Sequence, residues 1–391
     1  MDATTSTRAD KLLSLEEQIV RLQAVLEASR QVHSIFSVHD VLVRTAQVLV
    51  RELEIQGAQF RSAETGELLA SYGSPDPASP VTARFQLTGR DNRNLAELIV
   101  TPGGSEELSI YEEDFIEGLA LQAAVALENA TYHERDLQWA RVQQDLDAAR
   151  NIQRSLLPKS MPRIPGFSIE GRSTTCYEVG GDYMDTVVLP DGAQLFVVAD
   201  VAGKGLASAI IATGFRAAFR SLAGQPLSLA ELANRLGQQH WDEGLEARRR
   251  YVTAIFLRLK PGGHEIEVVN AGHNPALIVR PDGSVGRISA SGTPLGMLPG
   301  MSYTAETTAF PPGSRVLLYT DGLTEVFSGD DEFGCDRLSD TFRTASSQDA
   351  AAALATLWET LNSYSDNAPQ TDDMTAVAIC HLAPLQENAP A

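Results

Sequence analysis

Leu12, Leu15, Ile19, Leu22 and Leu26, extended by Ser29, His33 and Phe36, fall on alternating three- and four-residue steps, which lines them along one seam of a helix. Residues 1–37 are therefore expected to form an N-terminal helix. Its seam either pairs with a second copy in a coiled coil, giving a homodimer, or lies as an amphipathic face on its own domain. His33 on that seam reads as a packing position. Over residues 38–133 the pattern changes to that of a small mixed domain: an apolar helix at 41–53, the turn-rich stretch TGELLASYGSPDPASP, and strand-like runs such as ELIVT. Phe115, Ile116, Leu119, Ala120, Ala123, Leu127 and Ala130 then return to helical spacing. A polar helix continues through residues 134–158 and is stopped by Pro158. Such a helical linker transmits rotation or unwinding better than a Gly/Ser tether does.

From residue 159 to 383 strands and helices alternate. The runs DTVVLPDGAQLFVVAD and EIEVVNAGHNPALIVRPDGSVGRIS read as hairpin-like strand pairs with Asp-Gly turns. Helices are expected at 207–222, 229–241 and 350–364, and further strands at 251–259, 315–319 and 376–380. Residues 384–391 read as a disordered tail.

The length of 391 residues suits two or three domains, and 43% hydrophobic with 21% charged residues suits globular ones with real cores. No apolar run approaches the roughly 20 residues needed to span a bilayer, and the opening residues lack the apolar centre of a secretory signal. Cys176, Cys335 and Cys380 lie far apart, with neither metal-type nor redox-type spacing. A cytoplasmic protein is expected, with no membrane partner. The net charge of −20 repels nucleic acid, and no basic stripe interleaves with aromatics. Most of the excess carboxylates are accounted for as a solubilising surface.

Four aspartates are not. Asp182 (in EVGGDYMD), Asp200 (ending LFVVAD), Asp321 (ending RVLLYT) and Asp372 (in QTDDMTAVAIC) each stand at the edge of an apolar strand beside glycine or a sharp turn. Asp191 and Asp282, by contrast, follow a proline in ordinary hairpin turns. Carboxylates at strand ends are held stiffly yet face a cleft, and neighbouring glycines permit close approach. Several of them converging would repel one another unless cations lay between, and hard cations such as Mg²⁺ and Mn²⁺ take oxygen ligands. This is the signature of a dinuclear site for in-line displacement at phosphorus.

The stretches ARNIQRSLLP, VGGDYMD, ADVAGKG, YVTAIFLRL, NAGHNPALI, TPLGML, LLYTDGLTE and DDMT follow one another between residues 150 and 383. In this order they resemble the bacterial SpoIIE/RsbU branch of the type 2C metal-dependent protein phosphatases. The resemblance implies an α+β fold, an αββα sandwich with two divalent cations, Mn²⁺ or Mg²⁺, at one end. It further implies that Asp200 bridges both ions, that the Val201 carbonyl binds one, and that Asp321 and Asp372 complete the second. Asp182 would join directly or through water, and Asp373 takes a lesser metal role. A water between the ions would attack the phosphoserine or phosphothreonine directly. The implied substrate is a phosphorylated STAS-domain anti-sigma factor antagonist. The helices ASRQVHSIFSVHDVLVRTAQVL and ALQAAVALENATYH around residues 38–133 resemble the flanks of a GAF-type sensory domain, which implies an activating protein or small-molecule signal there.

One position departs from the branch. The loop after Asp200 usually carries a histidine where this chain has Lys204, which offers positive charge near the phosphate but is a poorer proton donor at neutral pH unless its pKa falls. Asp200, Asp182 and Lys204 are the expected catalytic residues. Arg248, Arg249 and Arg250 are expected to be solvated or to dock substrate. His273 and Asn274 are expected to brace a tight turn, and Thr253 and Thr320 to pack and hydrogen-bond within strands. GGDYMD lacks the residues of a nucleotide cyclase after GGD, and VAGKGL lacks the spacing of a phosphate loop. The competing function is a catalytically inactive adaptor that docks a phosphoprotein.

Overall fold

The computed structural model describes residues 37–103, 107–260, 262–346, 348–366 and 368–383. The expected seam over residues 12–36 and the tail over 384–391 lie outside the described residues. The chain divides into two compact units, Met1–Gln144 and Asp145–Ala391.

In the first unit, helix α1 (Val38–Glu52) starts at Ser37, whose hydroxyl accepts the Asp40 amide at 3.4 Å. Its buried stripe, Val41, Leu42, Ala46 and Leu49, faces an antiparallel sheet of β1 (Gly57–Ser62), β2 (Leu68–Gly73), β3 (Ala83–Thr88) and β4 (Asn94–Thr101) in the order β2-β1-β4-β3. The expected closing helix and the polar stretch after it form one helix, α2 (Ile110–Leu156). Ile116, Leu119, Ala123, Leu127 and Ala130 bury its early turns in the same core as Phe60 and Leu98.

The second unit is a four-layer sandwich. One sheet has the order β11-β10-β13-β16-β5, from β5 (Phe167–Thr174), β10 (Ala276–Val279), β11 (Val285–Ile288), β13 (Arg315–Tyr319) and β16 (Met374–His381). The other has the order β12-β9-β8-β7-β6, from β6 (Tyr183–Val188), β7 (Gln194–Val201), β8 (Val252–Leu259), β9 (Glu265–Ala271) and β12 (Glu306–Ala309). Phe196, Val198, Ile255, Leu257, Val316, Leu318, Val377 and Ile379 fill the space between the sheets. The alternate residues of the same strands face outwards and are also buried. Val197, Ala199, Ala254 and Phe256 lie under α3 (Leu206–Ala223) and α4 (Leu229–Asp242), and Leu317, Tyr319, Ala376 and Ala378 lie under α5 (Gly334–Thr344) and α6 (Ala350–Tyr364). Burial of both faces explains why LFVVA, AIFL and VLLY read as unbroken apolar runs rather than alternations. A two-strand hairpin, β14 (Phe327–Ser328) with β15 (Asp331–Glu332), projects before α5.

The expected αββα arrangement is therefore present, and its strand and helix bounds fall close to those read from the sequence. The expected hairpin across Asp282-Gly283 is the pair β10 and β11. β9 stands apart from it, pairing with β8 and β12, whereas β10 pairs with β11 and β13 in the other sheet. The NAGHNP segment is thus a crossover between sheets. It can turn so sharply because the Asn270 side chain accepts the His273 amide at 2.8 Å and donates to the Asn274 carbonyl at 3.1 Å.

Candidate functional site

The strand ends that carry the aspartates come from both sheets and meet at one end of the sandwich. Asp200 lies at the end of β7, paired in register with Thr253 of β8. Asp182 immediately precedes β6, whose Tyr183 pairs with Ala199. In the other sheet, Asp321 opens a 3-10 turn (Asp321–Leu323) just after β13, and Asp372 and Asp373 immediately precede β16. Thr320 stitches the two sheets together here. Its hydroxyl donates to Asp182 Oδ2 at 2.8 Å and accepts the Thr375 amide at 3.0 Å.

Glycine makes this closeness feasible. A Cβ on Gly181 would stand 2.8 Å from the Val201 carbonyl oxygen and 3.3 Å from Asp200 Oδ1, and one on Gly180 would collide with the Asp373 carboxylate. The Gly180–Asp182 segment therefore lies directly against the Asp200–Val201 strand end, with only hydrogen atoms in the gap.

The charges respond accordingly. Burial raises the Asp200 pKa to about 7, with further contributions from Asp321, Asp372 and Asp373. Asp182 is pushed well above the usual carboxylate range by burial and then by Asp200 and Asp373. Asp321 is raised by burial and by Asp372. Glu325, in the same TDGLTE stretch, is raised by burial and by Asp321 and Asp372, which adds a carboxylate that the sequence reading did not single out. Its link to the cluster follows from the 3-10 turn, a feature with no separate signal in the sequence.

Among the described residues, no three acidic, histidine or cysteine side chains already stand as a finished coordination shell. Part of the reason is that three of the carboxylates are engaged by protein donors. Asp182 accepts from Thr320. Asp373 accepts the Cys176 and Gly181 amides, both at 2.8 Å, so it ties the glycine loop down rather than facing the cleft. Asp372 Oδ2 lies 2.8 Å from Lys204 Nζ, which also donates to the Thr371 carbonyl at 2.7 Å. The donor set is entirely hard oxygen, the chemistry that suits divalent cations such as Mg²⁺ or Mn²⁺.

A second set of residues holds these groups in place. Thr253, opposite Asp200, donates weakly to the Asp200 carbonyl at 3.4 Å and is hydrogen-bonded to His273 Nδ1 at 2.8 Å. His273 is buried, and desolvation lowers its pKa to about 4, so it is a neutral brace at physiological pH. The three arginines are more engaged than expected. Arg248 covers the Trp241 ring at 3.9 Å, Arg249 pairs with Glu246 at 3.0 Å, and Arg250 reaches the Ala202 carbonyl in the loop after Asp200 at 3.5 Å. Asp185, fully buried three residues after Asp182, is gripped by Arg220 of α3 through bonds of 2.6 and 2.7 Å and receives the Tyr183 hydroxyl.

The end of α2 also touches the glycine loop. Gln153 donates to the Gly180 carbonyl at 2.7 Å and accepts the Gly180 amide at 3.2 Å, while Arg150 donates to the Glu178 carbonyl at 2.7 Å. Gln153→Ala removes both clamps on Gly180. It is expected to lower turnover at this site several-fold while shifting the unfolding free energy by only about 1–2 kcal/mol. Paired denaturation and turnover measurements check this, and unchanged turnover would show that the clamp is dispensable.

This strand arrangement, a helix-covered double sheet with acidic strand ends gathered at one end, is the fold of type 2C phosphatase domains. The unit shares its fold with the SiaA-PP2C domain of Pseudomonas aeruginosa, at a TM-score of 0.54 and 23% identity over 62% of this chain and 97% of that one. Residues 190–382 match the family model described as Stage II sporulation protein E (SpoIIE). Among curated relatives, the phosphoserine phosphatase RsbP of Bacillus subtilis is 28% identical over 181 residues, 46% of this chain and 45% of RsbP. Protein IcfG of Synechocystis is 26% identical over 266 residues, 60% of this chain and 41% of IcfG. The chain thus spans about half or less of the length of these two relatives.

Proposed function

We infer that the chain is a metal-dependent serine/threonine protein phosphatase. The observation that carries this reading is the convergence of Asp182, Asp200, Asp321 and Asp372, from both sheets, into one mutually repelling cluster against a closely packed glycine loop. Asp200, Asp321 and Asp372 would hold two divalent cations, Mn²⁺ or Mg²⁺, with help from Asp182 and the Val201 carbonyl. When bound, such ions supply charge neutralisation and a water acidic enough to act near neutral pH. The chain's own part is to fix the carboxylates. Thr320 orients Asp182, Asp373 and Gln153 pin the Gly180–Gly181 loop, and the Thr253–His273 pair supports the backbone at Asp200. Lys204 is kept protonated mainly by its bond to Asp372, so it brings positive charge towards a phosphate rather than a readily released proton.

By its likeness to the SpoIIE/RsbU branch and to a phosphoserine phosphatase, we assign as substrate a phosphoserine or phosphothreonine on a small STAS-type anti-sigma factor antagonist. The first unit then serves as the regulatory input. The purified chain should release phosphate from p-nitrophenyl phosphate and from such a phosphoprotein in Mn²⁺. It should do neither in excess chelator. Phosphate release that persists in chelator would remove the metal from the mechanism.

Stability offers an independent check. Asp200 titrates at about 7 in the folded chain against 3.8 for the ordinary group, so the folded state binds more protons between these values. The stability associated with this raised pKa is present in full below about 3.8 and is lost as pH rises to about 7 and beyond. At pH 8 the chain without cations therefore carries the repulsion unrelieved. Mn²⁺ at 100 times its Kd should stabilise it by about 2.7 kcal/mol, which raises the melting temperature by roughly 5–10 °C. The rise should be larger at pH 8 than at pH 5.5, where protons compete for the ligands. A scanning-fluorimetry series over pH and Mn²⁺ measures it, and a flat response at pH 8 would contradict the cation site.

A further inference from the structure

Lys204 sits in the loop between β7 and α3 and reaches across to the segment before β16 in the other sheet. Its ammonium takes two oxygens there, Asp372 Oδ2 at 2.8 Å and the Thr371 carbonyl at 2.7 Å. A carboxylate and a backbone carbonyl are the kinds of donor that a hard cation also takes. The same ammonium partly offsets the negative charge felt at Asp321 and at Glu325. Arg250, the other cationic group at this loop, faces the Ala202 carbonyl instead. Lys204 is thus a positive charge tethered to the acidic end and engaged with one of its candidate ligands.

Resting on the metal-dependent reading above, we propose that Lys204 is a built-in competitor for the second cation, setting the concentration of divalent metal at which the centre fills. For the ion to use Asp372, this carboxylate must let go of the ammonium. A lysine has the right properties for the task, being a compact charge on a flexible four-carbon stem. Its side chain is 46% exposed and that of Asp372 is 29% exposed, so the pair is screened by solvent and tunes occupancy rather than blocking it. Once released, the ammonium remains close by as a positive charge for the phosphate. The centre then fills only when cellular divalent metal is plentiful, and its activity follows metal supply.

The test is calorimetric titration of the full-length chain with MnCl₂ at pH 7.5, without substrate. Lys204→Met keeps much of the stem and removes the charge, and Lys204→Gln is a second neutral variant. Each should tighten the weaker of two Mn²⁺ binding steps about tenfold, the size expected for removing one unit charge near a divalent ion at a solvent-screened site. Lys204→Arg, which keeps the charge, should stay within about twofold of the wild type. Unchanged or weakened Mn²⁺ binding in both neutral variants overturns the proposal while leaving the metal site standing. Absence of Mn²⁺ uptake by the wild-type chain overturns both together.

Discussion

Replacing Asp200 with alanine should lower phosphate release by about 10³-fold or more, on the scale of removing a principal electrostatic stabiliser from an active site. Asp200 shares charge repulsion with four other carboxylates, Asp182, Asp321, Asp372 and Asp373, and Gly181 packs closely against it. The folding consequence has the opposite sign to the usual core substitution. Asp200 is confined among like charges, so its removal relieves repulsion. The metal-free variant should melt at the same temperature as the wild type or above it at pH 8. Activity lost while stability is kept or gained is the mark of a residue retained for chemistry. Asp191→Ala is the matched control, since Asp191 caps a hairpin turn by accepting the Ala193 amide at 3.1 Å. It should leave turnover within about twofold. Substantial activity in Asp200→Ala alongside a metal-dependent wild type would move the reaction away from this cluster.

Arg220→Ala is expected to carry the largest stability cost, about 3 kcal/mol or more for the second unit. Asp185 has no exposed surface, and Arg220 supplies both of its bidentate bonds. Truncating the arginine leaves the Thr186 amide and the Tyr183 hydroxyl as the remaining named donors to a buried charge. Arg220 itself is 43% exposed, which places the cost near the lower end of the range for broken buried pairs, because water can enter the space it leaves. Urea denaturation followed by circular dichroism measures the effect. A double variant, Asp185→Leu with Arg220→Met, should recover much of the loss, since an apolar pair of similar volume can replace a buried ion pair. If Arg220→Ala loses less than about 1 kcal/mol, the buried carboxylate is being satisfied by other groups. Because α3 is joined to β6 through this pair, the single variant should also loosen the strand start that presents Asp182.

Much of the second unit was legible in the sequence because its strands are buried on both faces and therefore run apolar without interruption, while Asp191-Gly192 and Asp282-Gly283 mark the two hairpin turns. The four clustered aspartates were legible for a related reason. Each interrupts such a run at its end, where a charge has no packing role. The sheet change at Asn270–Asn274 was not, because the bond between the Asn270 side chain and the backbone of its own corner is invisible to periodicity. The division of labour between Asp372 and Asp373 was only half visible. Two adjacent aspartates look alike in a sequence, and only the coordinates distinguish the one bonded to Lys204 from the one that fastens the glycine loop. Glu325, the Thr253–His273 brace and the Asp185–Arg220 grip likewise depend on contacts between residues distant in the chain. The N-terminal unit gave weaker signals, since its short strands leave one face partly exposed and turn residues occupy much of its length.

Strand β16, which follows Asp372 and Asp373 directly, lies in the interior of its sheet between β13 and β5, and its register with β5 joins Met374 to Thr174 and His381 to Phe167. During synthesis β5 leaves the ribosome some two hundred residues before its neighbour exists, so it must wait unpaired while everything between them is translated. Pairing at such long range is slow, and it comes last. A nascent chain caught before Met374 therefore has one sheet open through its middle and lacks the strand that holds Asp372 and Asp373 in place. The acidic end is therefore complete only once the whole domain has been translated.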